Sequence, residues 1–156
     1  MEQEKNMEKY ERYKAMCGNL SRAMKAGFYY EAIFIEYAIM EDRLTDLLKS
    51  AGVEYRRTRK DGTETDIDIE SKLNKAKDNP KFANNKFVRE RITPEFIEKV
   101  RSWKDRRNPL VHKLLEVPYD SESARKFAEE GKELSDIMKN RWTSVIKRFK
   151  KETGAK

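Results

Sequence analysis

Residues 28–50 read FYYEAIFIEYAIMEDRLTDLLKS, and this run decides the fold class. Ile33, Tyr37, Met40, Leu44 and Leu47 recur at three- and four-residue spacing, the period of an α-helix. Tyr30, Phe34, Ile35 and Ile39 widen the stripe well past one face. A helix that is apolar nearly all round is buried on several sides. The segment is therefore the central helix of a bundle or a contact between subunits. Glu36 lies inside the run, and a buried carboxylate needs a partner. Arg107 is one candidate; escape to solvent and a pair with Arg43 are the alternatives.

On the N-terminal side, residues 3–25 carry Met7, Tyr10, Cys17, Leu20 and Met24 as one helical stripe that Gly27 ends. On the C-terminal side, residues 51–66 (AGVEYRRTRKDGTETD) form a loop. Its alternation and its Asp61-Gly62 step allow a short hairpin arm. Arg56, Arg57, Arg59 and Lys60 make that arm either a clamp on an RNA backbone or a mobile, solvated loop. A short helix over 67–78 closes at Asn79-Pro80. Residues 80–87 follow as a loop tacked down by Phe82 and Phe87, and 88–91 add a turn of helix. Thr93-Pro94 is a cap followed by proline at the first helical position. That helix runs to about Arg106 with Phe96, Val100 and Trp103 on one face.

The Asn108-Pro109 step then reads as a break, because proline lacks an N–H and its ring crowds the carbonyl four residues back. A second helix over 109–116 starts with Asn108 as cap and stops at Val117-Pro118. Asp120-Ser121 caps a last helix reaching about Glu152, with Phe127, Leu134, Met138, Trp142, Val145 and Phe149 as its stripe. Gly131 inside it costs about 1 kcal/mol against alanine, or admits another helix at close range. The basic tail frays. The prediction is one all-α domain over residues 1–156, an antiparallel bundle of four to five main helices.

Lys and Arg total 35 against 28 Asp and Glu, a net charge of +7 that suits a nucleic-acid phosphate backbone. Charged residues make up 40% of the chain and hydrophobic ones 37%, as expected of helices with solvated outer faces. One cysteine, Cys17, rules out an internal disulfide and fits a reducing cytoplasm. One Cys and one His cannot build a zinc site within a single chain. No apolar run reaches the length of a membrane span, and the charged start is not a signal peptide. Glycine-rich phosphate loops, H-E-x-x-H and G-x-S-x-G are all missing from the sequence.

One constellation remains, in Trp103–Leu115 (WKDRRNPLVHKLL), which holds the only histidine, His112. With a helix starting at Asn108, Arg107 stands just outside that start and His112 lies in its first turns. Free N–H groups and the positive end of the helix dipole would meet a phosphate there and keep His112 neutral, as a base. In an unbroken helix the two side chains would point about 140° apart. Lys104, Arg106 and Lys113 form a basic face, either solvated or in contact with RNA.

Arg107-Asn108-Pro109-Leu110-Val111-His112 resembles the R-x(4–6)-H signature of the HEPN superfamily, in which a polar residue commonly follows the arginine. The resemblance implies an RNase that needs no metal or other cofactor. The 2′-OH attacks the adjacent phosphate, leaving a 2′,3′-cyclic phosphate and a free 5′-OH. His112 would act as acid or base, Arg107 would hold phosphate oxygens, and Asn108 would orient the pair or cap the helix. HEPN sites form at dimer interfaces or between tandem domains, so a single motif implies a homodimer. The family suggests a toxin or phage-defence setting, with an antitoxin or regulatory partner. Leu114 stands where some members have the tyrosine of a His-x-Tyr variant, which removes the residue that a nucleotidyltransferase antitoxin would modify. Two other readings stay open: an HEPN module that binds RNA or nucleotides without turnover, and a helical protein-interaction domain.

Overall fold

A computed structural model describes residues 1–116 and 118–154. Helix α1 (Glu2–Ala26) and helix α2 (Tyr29–Ser50) are joined by Gly27, whose φ of 78° is the left-handed conformation that ends a helix without steric cost. The N–H groups of Gly27 and Phe28 close the end of α1 on the carbonyls of Met24 and Ala23. α1 packs along α2 through Leu20 and Ala23, while Met7 and Tyr10, predicted to share that stripe, stay more than half exposed. Polar contacts hold that end instead, with Lys9 Nζ 3.3 Å from Asp42 and 2.6 Å from Asp46.

α2 is the centre of the molecule. It touches α1, α3, α7, α8 and the π-helical turn between the last two. Ala32, Ile33, Ile35, Ile39, Met40, Leu44, Leu47 and Leu48 are all buried, which is why its sequence is apolar on more than one side. A short antiparallel hairpin follows, β1 (Arg56–Thr58) with β2 (Glu64–Asp66), Arg57 opposite Thr65. This is the arm that the Asp61-Gly62 step allowed. Its base is tied to the core by Lys72, which is 1% exposed and reaches Thr45 (2.9 Å), Asp66 (3.4 Å) and Glu41 (3.5 Å).

Helix α3 (Ile69–Asp78) starts later than predicted, because Asp68 caps it by accepting from the Ser71 N–H. The segment expected to be a loop at 80–87 is two short helices, α4 (Pro80–Ala83) and α5 (Lys86–Arg91). Asn79 and Asn85 are their caps, and Asn79, expected to close the helix before it, also opens the next. Phe82 is fully buried and meets Phe149 edge-on at 5.7 Å. Helix α6 (Pro94–His112) begins at a Thr93 cap and is followed by a turn at 113–116; helix α7 (Ser121–Ile137) begins at an Asp120 cap. The stop predicted at Val117-Pro118 for the helix over 109–116 falls partly on Val117, outside the described residues. The last predicted helix is interrupted at Met138–Trp142 by a π-helical turn before α8 (Thr143–Glu152). The fraying expected of the tail concerns in part Ala155 and Lys156, which also lie outside the described residues.

The architecture is all-α apart from the hairpin. Among the described residues no helix is long and apolar enough to cross a membrane.

Candidate functional site

The predicted break at Asn108-Pro109 does not occur. α6 runs without interruption from Pro94 to His112, with Pro109 inside its last turns. Asp105 and Pro109 are both exposed, so water can satisfy the carbonyl that loses its N–H partner. Of the helix predicted over 109–116, residues 109–112 are thus the end of α6, closed by the Lys113 N–H on the Pro109 carbonyl at 3.0 Å, and 113–116 form a turn. The consequences reach the chemistry. His112 stands in a helix's last turn, where the free backbone groups are carbonyls, not N–H donors. The N-terminal anion site expected at Asn108 is absent, and so is the field argument for a neutral imidazole.

Arg107 and His112 consequently lie about 140° apart around one helix and about 7.5 Å apart along it. His112 is exposed. Arg107 is half-buried and turned towards α2. Its guanidinium carbon lies 4.0 Å from the Tyr37 ring centre and 5.2 Å from that of Phe34, a cation–π seat between two aromatic rings. Its Nε is buried with no hydrogen-bond partner. Nη1 reaches Asn108 Oδ1 at 3.5 Å. Asn108 therefore touches the arginine, and neither caps a helix nor orients the histidine. Among the described residues no carboxylate pairs with Arg107, although most neighbouring cations are paired. Burial raises the Tyr37 phenol, and Glu41 adds to the effect.

The remaining cations separate into two groups. Lys104, expected on a basic face either solvated or in contact with RNA, is 7% exposed and pairs with Glu70 and with Asp105 (2.9 Å). The reason is geometric: Lys104 follows Trp103 on the side of α6 that packs on α3, so its charge is spent on Glu70. Arg106 pairs with Glu130 and lies over the Phe127 ring at 5.4 Å. Arg56 pairs across the hairpin with Glu64 (3.7 Å) and Asp66 (3.3 Å). Arg57, Arg59 and Lys113 are exposed and have no carboxylate partner among the described residues; Arg59 only donates to Thr65 at 3.3 Å. Arg57 and Lys104 both act on Asp68, so the hairpin and α6 border the same surface.

Glu36 fits none of its three expected roles. It is 0% exposed, and neither oxygen has a hydrogen-bond partner. Arg43 is occupied by Asp42 (2.7 Å) and Asp46 (2.8 Å), and Arg107 faces the aromatic rings. The carboxyl is instead packed beneath α6 and α7: a Cβ on Gly131 would lie 2.6 Å from Glu36 Oε1 and 2.5 Å from Trp103. Gly131 is the close approach that its sequence position allowed. Desolvation pushes the Glu36 carboxyl up to about 9, opposed by Lys132 and reinforced by Asp136. The group that supports Arg107 is therefore the pair Phe34 and Tyr37. Both belonged to the apolar run of α2, where nothing in the sequence separates a ring that seats a cation from one that fills a core.

Beyond His112 several large apolar side chains are exposed among charged neighbours. Leu114 is 38% exposed, Leu115 is fully exposed and Tyr119 is 56% exposed. A groove of about 410 Å³ runs beside them, lined in part by Tyr30, Arg106, Leu110 and Lys113. No family model, no curated protein and no solved structure matches this chain.

Proposed function

We propose that this chain is an endoribonuclease of the HEPN type that cuts RNA by internal attack of the 2′-OH and works as a homodimer. The observation that carries the reading is the state of Arg107: a guanidinium that no carboxylate among the described residues pairs with, on the same end of α6 as an exposed histidine. Such a fork is matched to phosphate oxygens. The sequence Arg107-Asn108 followed by His112 resembles the HEPN signature, and the all-α architecture is compatible with an HEPN-like bundle.

In this reading a base takes the 2′-OH proton, the 2′ oxygen bonds to phosphorus, and the bond to the 5′ oxygen breaks as an acid protonates it. The products are a 2′,3′-cyclic phosphate and a 5′-OH. Within one chain Arg107 and His112 diverge, so one phosphate meets only one of them. A two-fold assembly joins Arg107 of one copy with the histidine of the other and supplies two imidazoles, one for each proton. The apolar surface at Leu114, Leu115 and Tyr119 is adjacent to His112 and suits a subunit contact. The cellular setting that goes with this reading is a cytoplasmic toxin or phage-defence factor, held by an antitoxin or regulatory partner.

The test is incubation of pure protein with structured RNA in EDTA, with identification of the product ends. The expected result is cyclic phosphate ends, and a rate that falls about 10²- to 10⁴-fold in His112→Ala. RNA bound without cleavage would instead favour a non-catalytic RNA- or nucleotide-binding module. The divergence of the two side chains on a continuous helix is the observation on that module's side. Neither binding nor cleavage would favour a protein-interaction domain.

A further inference from the structure

The geometry points to a single-nucleotide seat on α2, in which Phe34 stacks one unpaired RNA base while Arg107 holds the adjoining phosphate; this rests on the RNA reading above and specifies its substrate as single-stranded at the site. Phe34 is a large aromatic residue left 45% exposed on the most deeply buried helix of the molecule. It sits among buried neighbours, with Ile33 at 1% and Ile35 at 5%. Its ring has a guanidinium at 5.2 Å on one side, and Tyr37 holds that same guanidinium from beneath at 4.0 Å.

Each part does a separate job. The buried Nε of Arg107 has no hydrogen-bond partner, and among the described residues no carboxylate pairs with the guanidinium, which is held by ring faces and by Asn108. An aromatic face beside an open cation is the combination by which single-stranded nucleic acid is held: the base stacks and the phosphate pairs. A base inside an A-form duplex is already stacked on both faces, and the deep major groove does not admit side chains to it. The seat therefore selects loops, bulges and ends. The exposed Arg57 and Arg59 of the hairpin carry charge for flanking phosphates without reading the base.

The experiment uses the full chain carrying His112→Ala, so that RNA stays intact, and a single-stranded RNA with 2-aminopurine at one position. The same strand annealed to its complement is the control. The expected result is a change in 2-aminopurine fluorescence on binding the single strand and at least tenfold weaker binding of the duplex. Phe34→Ala should weaken single-strand binding about 5- to 100-fold, and Phe34→Trp should restore it. Equal affinity of the Phe34→Ala protein and its parent, or equal affinity for duplex and single strand, would overturn the proposal. So would loss of the dimer on sedimentation of Phe34→Ala, because the ring would then belong to a subunit contact. Phe34→Leu with parent-like thermal unfolding and weakened binding separates stacking from folding. Cleavage by the His112-containing protein is scored separately. Stacking without cleavage would sink the ribonuclease reading alone, and cleavage with an unchanged KM in Phe34→Ala would sink the nucleotide seat alone.

Discussion

Replacing Glu36 by glutamine should flatten the pH dependence of stability. The Glu36 carboxyl is fully enclosed by α2, α6 and α7, and desolvation raises it to about 9 from an ordinary value near 4.5. A group whose folded pKa lies above its unfolded value binds more protons in the folded state between those two values. Its contribution is whole below the unfolded value and is lost as pH rises towards the folded one. Each pH unit in that window costs about 1.4 kcal/mol. Between pH 5 and pH 8 the parent should therefore lose about 4 kcal/mol relative to Glu36→Gln, a large share of a stability of roughly 5–15 kcal/mol. Lys132 and Asp136 act on the carboxyl with opposite signs and are present in both proteins, so the difference isolates Glu36. The assay is urea unfolding of both proteins at pH 5, 6, 7 and 8. Parallel profiles, within about 1 kcal/mol across the range, would refute the reasoning and would mean that water reaches the carboxyl.

Other perturbations follow from the same packing. Gly131→Ala should destabilise by about 1–3 kcal/mol despite alanine's better helix propensity, because the new methyl would meet Trp103 at 2.5 Å; thermal unfolding reads this directly. Lys72→Met should leave the helical core folded and free the hairpin, which hydrogen exchange would report as faster loss of the Ile67 N–H bonded to the Tyr55 carbonyl.

Helix existence was readable wherever apolar spacing was long and regular, as in α2 and in α7 with α8. Caps were readable at Thr93 and Asp120, where the side chain competes for a specific backbone N–H. Asn79 and Asn85 carry the same chemistry, yet helices as short as α4 and α5 show no period to place behind a cap. Asn108-Pro109 misled for the opposite reason. Proline's cost depends on whether the freed carbonyl can be hydrated, and exposure is a tertiary property that the dipeptide does not carry. Arg107 was legible as a residue of interest but not as one seated on aromatic rings. Lys104 reads as solvated charge until the fold brings Glu70 beside it. At Glu36 the sequence flagged burial, and only the packing revealed that no cation accompanies it.

The pairing of Lys104 with Glu70, Arg106 with Glu130, Arg101 with Glu98 and Arg125 with Glu129 sets how this surface meets a polyanion. A cation already paired with a carboxylate cannot neutralise a phosphate, and so cannot release the counterions condensed on it, until that carboxylate is displaced. Any non-specific attraction to nucleic acid would then be weaker, and less sensitive to ionic strength, than 35 basic residues suggest. Such a surface would meet a phosphate through the cations that have no carboxylate beside them among the described residues, Arg57, Arg59 and Lys113 among them, and not through the paired ones.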